Sequence, residues 1–203
     1  MSYAFIAPYS NATPVQDRDA ARPGIATGTL VLTKTGERAV ESLRPGDKII
    51  TRSRGFTALR WVGITSNKGP APIHISAGAL GGHQAITVSA STRFLIRGAV
   101  PLALFGSSEV VVQAADLVNN RSIYRLDAPR TLLVHLMFDS PEIIRAAGME
   151  VETLNPIDHP LQELEASSTH LRLVAKNDTP VHYVSDLTAS MARAKALLVA
   201  NGR

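Results

Sequence analysis

Apolar and polar residues alternate in short runs separated by turn formers along most of the chain. TLVLT at 29–33, RAV at 38–40 and KIITR at 48–52 each place side chains on two faces with a period of two, which predicts strands. RPGD at 44–47 sets Pro where φ is fixed and Gly where φ can be positive, so a tight corner precedes the third run. In the stretch 56–64, Phe56, Ala58, Arg60, Val62 and Ile64 share one face while Thr57, Leu59, Trp61 and Gly63 share the other. Both faces are partly apolar, which predicts one continuous strand buried on both sides. Further strands are expected at 73–76, 85–89, 94–97, 109–113, 122–125, 131–138 and 142–146. So many short strands with no alternating helices predict an all-β sandwich or barrel relative.

The two ends differ in kind. The first 28 residues are rich in Pro, Ala, Asn, Asp and Gly and show no period, so they read as a loose leader up to the first strand. After NPIDHP at 155–160 comes the acidic LQELEASS, then a pattern with Leu187, Met191, Ala194 and Leu198 at helical spacing. Asp186 stands near its start, Arg193 and Lys195 come later, and Gly202 lies just beyond, as the ends of an amphipathic helix require. That apolar stripe is expected to dock on the chain's own β core or to mediate self-association. Burying a leucine is worth roughly 1.5–3 kcal/mol, so Leu198→Asp is expected to lower the melting temperature of the full chain; an unchanged midpoint would mean the stripe is solvated.

Composition narrows the chemistry. With 45 % hydrophobic and 19 % charged residues the 203-residue chain is globular, and its longest apolar stretches, such as LLVHLMF at 132–138, are far short of the roughly 20 residues of a membrane span. Zero cysteines excludes disulfides, thiolate metal sites and a cysteine nucleophile. The start of the chain lacks a basic segment followed by an apolar run, so no secretory signal is read and a cytoplasmic protein is expected. Residues 1–100 hold 12 Lys/Arg against 5 Asp/Glu, whereas residues 101–203 hold 9 against 12. The basic half allows a nucleic-acid-associated module, but Arg52, Arg54 and Arg60 are spread over strands without aromatic interleaving, which favours a solvated basic face.

The segment GIATGTLVLTKTGERAVESLRPGDKIITRSRGFTALRWVG at 24–63 resembles the opening of a bacterial Hint domain, the hedgehog/intein fold. It combines, in order, a G-T-x-[IV] start, the G-E-R-x-V-E-x-L-R-P-G-D turn and the later R-W-[VI]-G. The likeness continues through IHISAGALG at 73–81, ITVSASTRFLI at 86–96, VQAADLVN at 112–119 and VHLMFDSPEIIRAAGMEVETLNP at 134–156, about two thirds of the chain. It implies a leader over 1–23, a Hint-like all-β domain over 24–156 and a C-terminal extension over 157–203 ending in a helix.

Three departures change what the resemblance implies for activity. A Hint domain is expected to begin with a cysteine whose thiol attacks the preceding carbonyl, and here Gly24 stands at that position. The family's T-x-x-H element supplies a histidine that protonates the leaving amide nitrogen, and the corresponding residues are Ser89 and Thr92. In the family's H-L-x-x-D-x-H-E element, His135, Asp139 and Glu142 are kept, but Pro141 replaces the second histidine. Proton-transfer groups contribute about 10²- to 10⁴-fold each, and the nucleophile is indispensable. A degenerate domain without self-cleavage, kept as a binding or structural module, is the reading that follows. An autoprocessing domain with a non-cysteine nucleophile is the alternative, and a basic nucleic-acid module the third.

Other chemistry is thinner. Thr27 and Thr29 flank the first position, but a turn and a strand start explain them. Of His74, His83, His135, His159, His170 and His182, none has metal-site spacing; His135 with Asp139 is the best pair, either as a site remnant or as a core histidine bonded to a carboxylate. GALGGH at 78–83 lacks the lysine and helix of a phosphate loop. Trp61 is expected to anchor the core. No metal or cofactor is implied, the partner is an unidentified protein, and the site residues are expected to line a shallow pocket.

Overall fold

The computed structural model describes residues 22–67, 69–127 and 130–159. Among them, the strands form two antiparallel sheets. The first runs β11 (Ile123–Arg125), β7 (Ile73–Ile75), β8 (Ile86–Val88), β1 (Ile25–Ala26), β12 (Leu132–Met137) and β6 (Trp61–Ser66). The second runs β10 (Glu109–Gln113), β9 (Arg93–Arg97), β14 (Met149–Glu152), β13 (Ile143–Ala146), β2 (Leu30–Thr33), β4 (Lys48–Thr51) and β5 (Gly55–Ala58), with β3 (Gly36–Ala39) paired to β2. Val31, Ile49, Phe94 and Ile144 of the second sheet and Ile73, Val88, Val134 and Leu136 of the first fall in one buried cluster, so the sheets share a core. Trp61 is buried as expected, but it packs in a separate small cluster with Met137 and Leu154.

The stretch 56–64 is two strands, and neither is buried on both faces throughout. At Gly46–Asp47 the chain still bonds Leu59, through Gly46 N–H to the Leu59 carbonyl and Leu59 N–H to the Asp47 carbonyl. One residue later the Arg60 N–H bonds Met137 O at 2.8 Å. The backbone thus leaves one sheet and joins the other between Leu59 and Arg60, a switch that unbroken alternation hides. Phe56 and Ile64 are about half exposed as a result.

Other differences have local causes. α1 (Ala99–Phe105) forms where no helix was expected; Pro101 lies in its first turn, where a missing N–H costs nothing, and Gly106 closes it in the left-handed conformation. β14 is a separate strand because Ala147 and Gly148 both have positive φ, 51° and 80°, the requirement of a two-residue hairpin turn. At RPGD the expectation holds: Gly46 has φ 94°, and the Asp47 carboxylate accepts bonds from Arg44 N–H at 2.8 Å and from the Arg38 guanidinium at 3.0 Å. The leader up to residue 21 and the helix expected around Leu187–Leu198 lie outside the described residues.

The path of the chain around β12 positions the site. β1 pairs with β12 through Ile25↔Val134 and Ala26↔Leu133, which sets Gly24 beside His135. Two residues further along β12, Leu154 forms a parallel bridge with Met137 and donates its N–H to Leu136 O at 2.9 Å. The stretch that leads into the fold and the stretch that leads out therefore lie next to each other along one strand.

Candidate functional site

Gly24 is held from two sides. Its N–H lies 3.0 Å from Thr92 Oγ1 and 3.1 Å from Ser89 Oγ, and its carbonyl accepts the Ser89 N–H at 2.9 Å and the Thr92 hydroxyl at 3.0 Å. Ser89 Oγ also donates to Arg22 O at 2.9 Å. These bonds arise because β1 pairs with β8 as well as β12, and the turn after β8 carries Ser89 and Thr92 back onto the start of β1. On the other flank, His135 Nδ1 lies 2.7 Å from Pro23 O and Nε2 lies 2.8 Å from Thr65 Oγ1. A carbonyl can only accept, so Nδ1 carries the proton that it donates to Pro23.

Gly24, Ser89, Thr92 and His135 are thus brought together, as the resemblance implies, but inside the protein. Thr92, His135 and Ser89 are at most 3 % exposed, so the expected shallow pocket is a packed polar cluster. A Cβ on residue 24 would stand 2.8 Å from His135 Cε1, 3.0 Å from Nδ1 and 3.1 Å from Leu133 Cβ. The 2.8 Å approach is closer than Cβ atoms come, so the imidazole stands partly in the place a side chain at 24 would use.

Asp139, Pro141 and Glu142 part from that cluster. β12 ends at Met137, so the spacing of four between His135 and Asp139 no longer counts positions on one strand face. The expected His135–Asp139 pair is replaced by Asp139 with Arg60, at 3.2 Å, while His135 turns to Pro23 and Thr65. Glu142 is buried against the β4–β5 turn: its carboxylate accepts Ser53 Oγ–H at 2.5 Å, sits 3.4 Å from Arg54 Nε and 3.4 Å from Ser140 Oγ. Pro141 is half-buried in the turn between them. The sequence carried no signal for Thr65, Ser53 or Arg54 as partners, since each is contributed by a strand or turn distant in the chain.

The remaining candidates resolve structurally. Thr29 precedes β2 and its hydroxyl donates to Ala26 O at 2.8 Å, and Thr27 is an exposed turn residue. The GALGGH loop spends its Gly78, Ala79 and Gly81 amides on turn bonds to Gly82, Ser76 and Gly78 carbonyls, which leaves those donors unavailable to a phosphate. It rims a cleft of about 450 Å³ with Arg97, Arg145 and Glu150. His74 meets Thr87 and stacks near Tyr124, His83 faces Glu37, and no group of three or more His, Asp or Glu is arranged for a metal among the described residues; His170 and His182 lie outside them. The basic strand residues are not a free face, because Arg52 pairs with Glu109, Arg54 with Glu142 and Arg60 with Asp139.

Among solved structures, a bacterial intein-like domain from Clostridium thermocellum is similar at 14 % identity and TM-score 0.46, covering 64 % of this chain and 98 % of its own. The MchDnaB-1 intein is similar at 14 % identity and TM-score 0.43, with 64 % and 99 % covered, and the gp41-1 intein at 12 % and 0.41, with 66 % and 98 %. None of the curated proteins matches the sequence. The family model described as the Hint domain matches residues 23–158. By that match over two thirds of its length, with two antiparallel sheets to carry it, the chain belongs to the Hint domain family.

Proposed function

We propose that this Hint domain, spanning 24–156, does not cleave itself and serves as a binding or structural module. The observation that carries this reading is Gly24: the residue that would attack the Pro23 carbonyl has no side chain, and His135 stands partly in the space for one. The groups around the Pro23–Gly24 peptide hold it without activating an attacker. The His135 proton points at the Pro23 carbonyl, where it would stabilise a developing negative charge, but no bond forms without a nucleophile. Thr92 stands where a histidine would protonate the Gly24 nitrogen, and its hydroxyl is far too weak an acid near neutral pH for that role.

The autoprocessing alternative needs a non-cysteine nucleophile, and the hydroxyls beside the Gly24 nitrogen are those of Thr92 at 3.0 Å and Ser89 at 3.1 Å. A serine needs a base to become a nucleophile, yet the described groups within reach of the Ser89 hydroxyl proton are the Arg22 carbonyl and the Ser91 and Thr92 hydroxyls. The nucleic-acid reading loses support from the ion pairs of Arg52, Arg54 and Arg60.

Intact mass spectrometry of the full chain behind an N-terminal fusion tests the proposal. One uncleaved species is expected after expression and after incubation with dithiothreitol or hydroxylamine. A break between Pro23 and Gly24 that grows with either nucleophile would overturn it. If such a break vanished in Ser89→Ala, it would establish the serine route instead.

A further inference from the structure

The cleft of about 450 Å³ between the GALGGH loop and the β13–β14 hairpin contains none of the residues around Gly24. Its size falls within the roughly 300–1,000 Å³ of ligand sites. Its two walls are seated against each other. A Cβ on Gly82 would stand 2.5 Å from Met149 Cε and 2.8 Å from Ala147 O, and one on Gly148 would stand 2.4 Å from His83 Nδ1. Glycine at both positions permits this approach of loop and hairpin turn, so the cleft is formed before a ligand arrives.

Charge around the cleft is unbalanced. The β13–β14 register sets Arg145 opposite Glu150, and Val151↔Phe94 sets Glu150 beside Leu95, two residues from Arg97. Arg145, Glu150 and Arg97 therefore share one face of the sheet, and all three line the cleft. The Glu150 carboxylate accepts a bond from Arg97 at 2.8 Å, while Arg145 is exposed and, among the described residues, pairs with no carboxylate. Two guanidiniums against one carboxylate leave the cleft one negative charge short. A guanidinium offers paired N–H donors in the geometry that a carboxylate accepts.

The loop adds open backbone groups. Among the described residues, Leu80 N–H donates to none and the Ala79 and Leu80 carbonyls accept from none, and both residues line the cleft. A phosphate would need several converging amides, and it would bring close to two negative charges where one is missing. A peptide with one acidic side chain brings a single charge, and its main chain supplies partners for the open groups of Ala79 and Leu80.

We infer that this cleft binds an acidic peptide segment, its carboxylate held by Arg145 beside the Arg97–Glu150 pair and its backbone bonded to the loop at Ala79 and Leu80. The ligand class so named belongs to the binding role proposed above and rests on that reading. Such a segment comes either from another protein or from LQELEASS at 161–168 of this chain, whose Glu163 and Glu165 carry the same chemistry.

The test is an NMR titration of the isotope-labelled full chain with acetyl-Gly-Ala-Glu-Ala-Gly-amide at low salt. Saturable shifts are expected at the amides of Leu80, Arg145 and Gly148, with the glutamine counterpart of the peptide bound about tenfold more weakly. Arg145→Gln should weaken binding by about tenfold at an unchanged melting temperature, and Glu150→Gln, which removes the competing carboxylate, should strengthen it several-fold. The double variant Glu163→Gln, Glu165→Gln separates the sources: tighter binding of the added peptide than in the parent identifies the chain's own segment as the occupant, and equal binding identifies a segment of another protein. No saturable shift in the parent or the double variant, equal binding of the glutamate and glutamine peptides, an Arg145→Gln chain that binds like the parent, or inorganic phosphate that binds more tightly than the peptide would each overturn the proposal. Intact mass of the same samples reports self-cleavage separately. A chain that stays whole and binds no peptide rejects this site alone, whereas one that breaks before Gly24 rejects the uncleaved module.

Discussion

Glu142→Ala is expected to lower stability by about 3 kcal/mol, a shift of roughly 10 °C in melting temperature for a domain of this size. The carboxylate side chain is fully buried, and it collects Ser53, Arg54 and Ser140 from two separate turns. Its backbone is bound on the other side, with the Thr153 N–H donating to Glu142 O at 2.9 Å. Removing the carboxylate empties a fully buried site and leaves the Arg54 guanidinium, itself only 26 % exposed, without the carboxylate beside it, while the exposed Ser53 turns its hydroxyl to water. Glu142→Gln keeps an acceptor for Ser53 and should recover part of the loss. Thermal melts of the two variants beside the parent measure this; a Glu142→Ala midpoint within a degree or two of the parent would show that the carboxylate does not hold the β4–β5 turn to β13.

Gly24→Cys is expected to cost about 2–3 kcal/mol and to yield no cleaved product, although it restores the thiol that the family resemblance calls for. The new Cβ would press on His135 and Leu133, and relief requires the imidazole, held by Pro23 O and Thr65 Oγ1, to give by a few tenths of an ångström. That movement strains the His135 bond to the carbonyl a thiol would attack. Thr92 still supplies no imidazole for the leaving nitrogen. Melting curves and intact mass in the presence of dithiothreitol check both halves. A thiol-dependent break before residue 24 in the single variant would mean that the site remains competent and lacks only its nucleophile.

The sequence made the strands at 30–33, 48–51, 73–75 and 86–88 legible because each is a short alternating or β-branched run bounded by turn formers. It hid features whose cause is tertiary. The sheet switch at Leu59 and Arg60 leaves the alternation of 56–64 intact, so periodicity reads one strand where two sheets divide it. Ala147 takes a left-handed conformation through the turn it shares with Gly148, and nothing about an Ala-Gly pair advertises that as Asn-Gly would. At the site, the meeting of Gly24 with Ser89, Thr92 and His135 joins positions up to 111 residues apart, and only the family resemblance could place them together. The same resemblance grouped His135 with Asp139 and Glu142 as one element, while the end of β12 at Met137 sends the two carboxylates to Arg60 and to the β4–β5 turn.

The adjacency of Gly24 and Leu154 along β12 makes the connectivity of the fold almost circular in space. Gly24 lies beside His135 and Leu154 beside Met137, an offset of two residues or roughly 7 Å along a strand. A bridge of a few residues would join them, and the chain could then be opened elsewhere, for instance in the turn at Asn119–Ser122 before β11. Such a permuted chain keeps every strand pairing described above, because none of them depends on which peptide bond is the one left unmade.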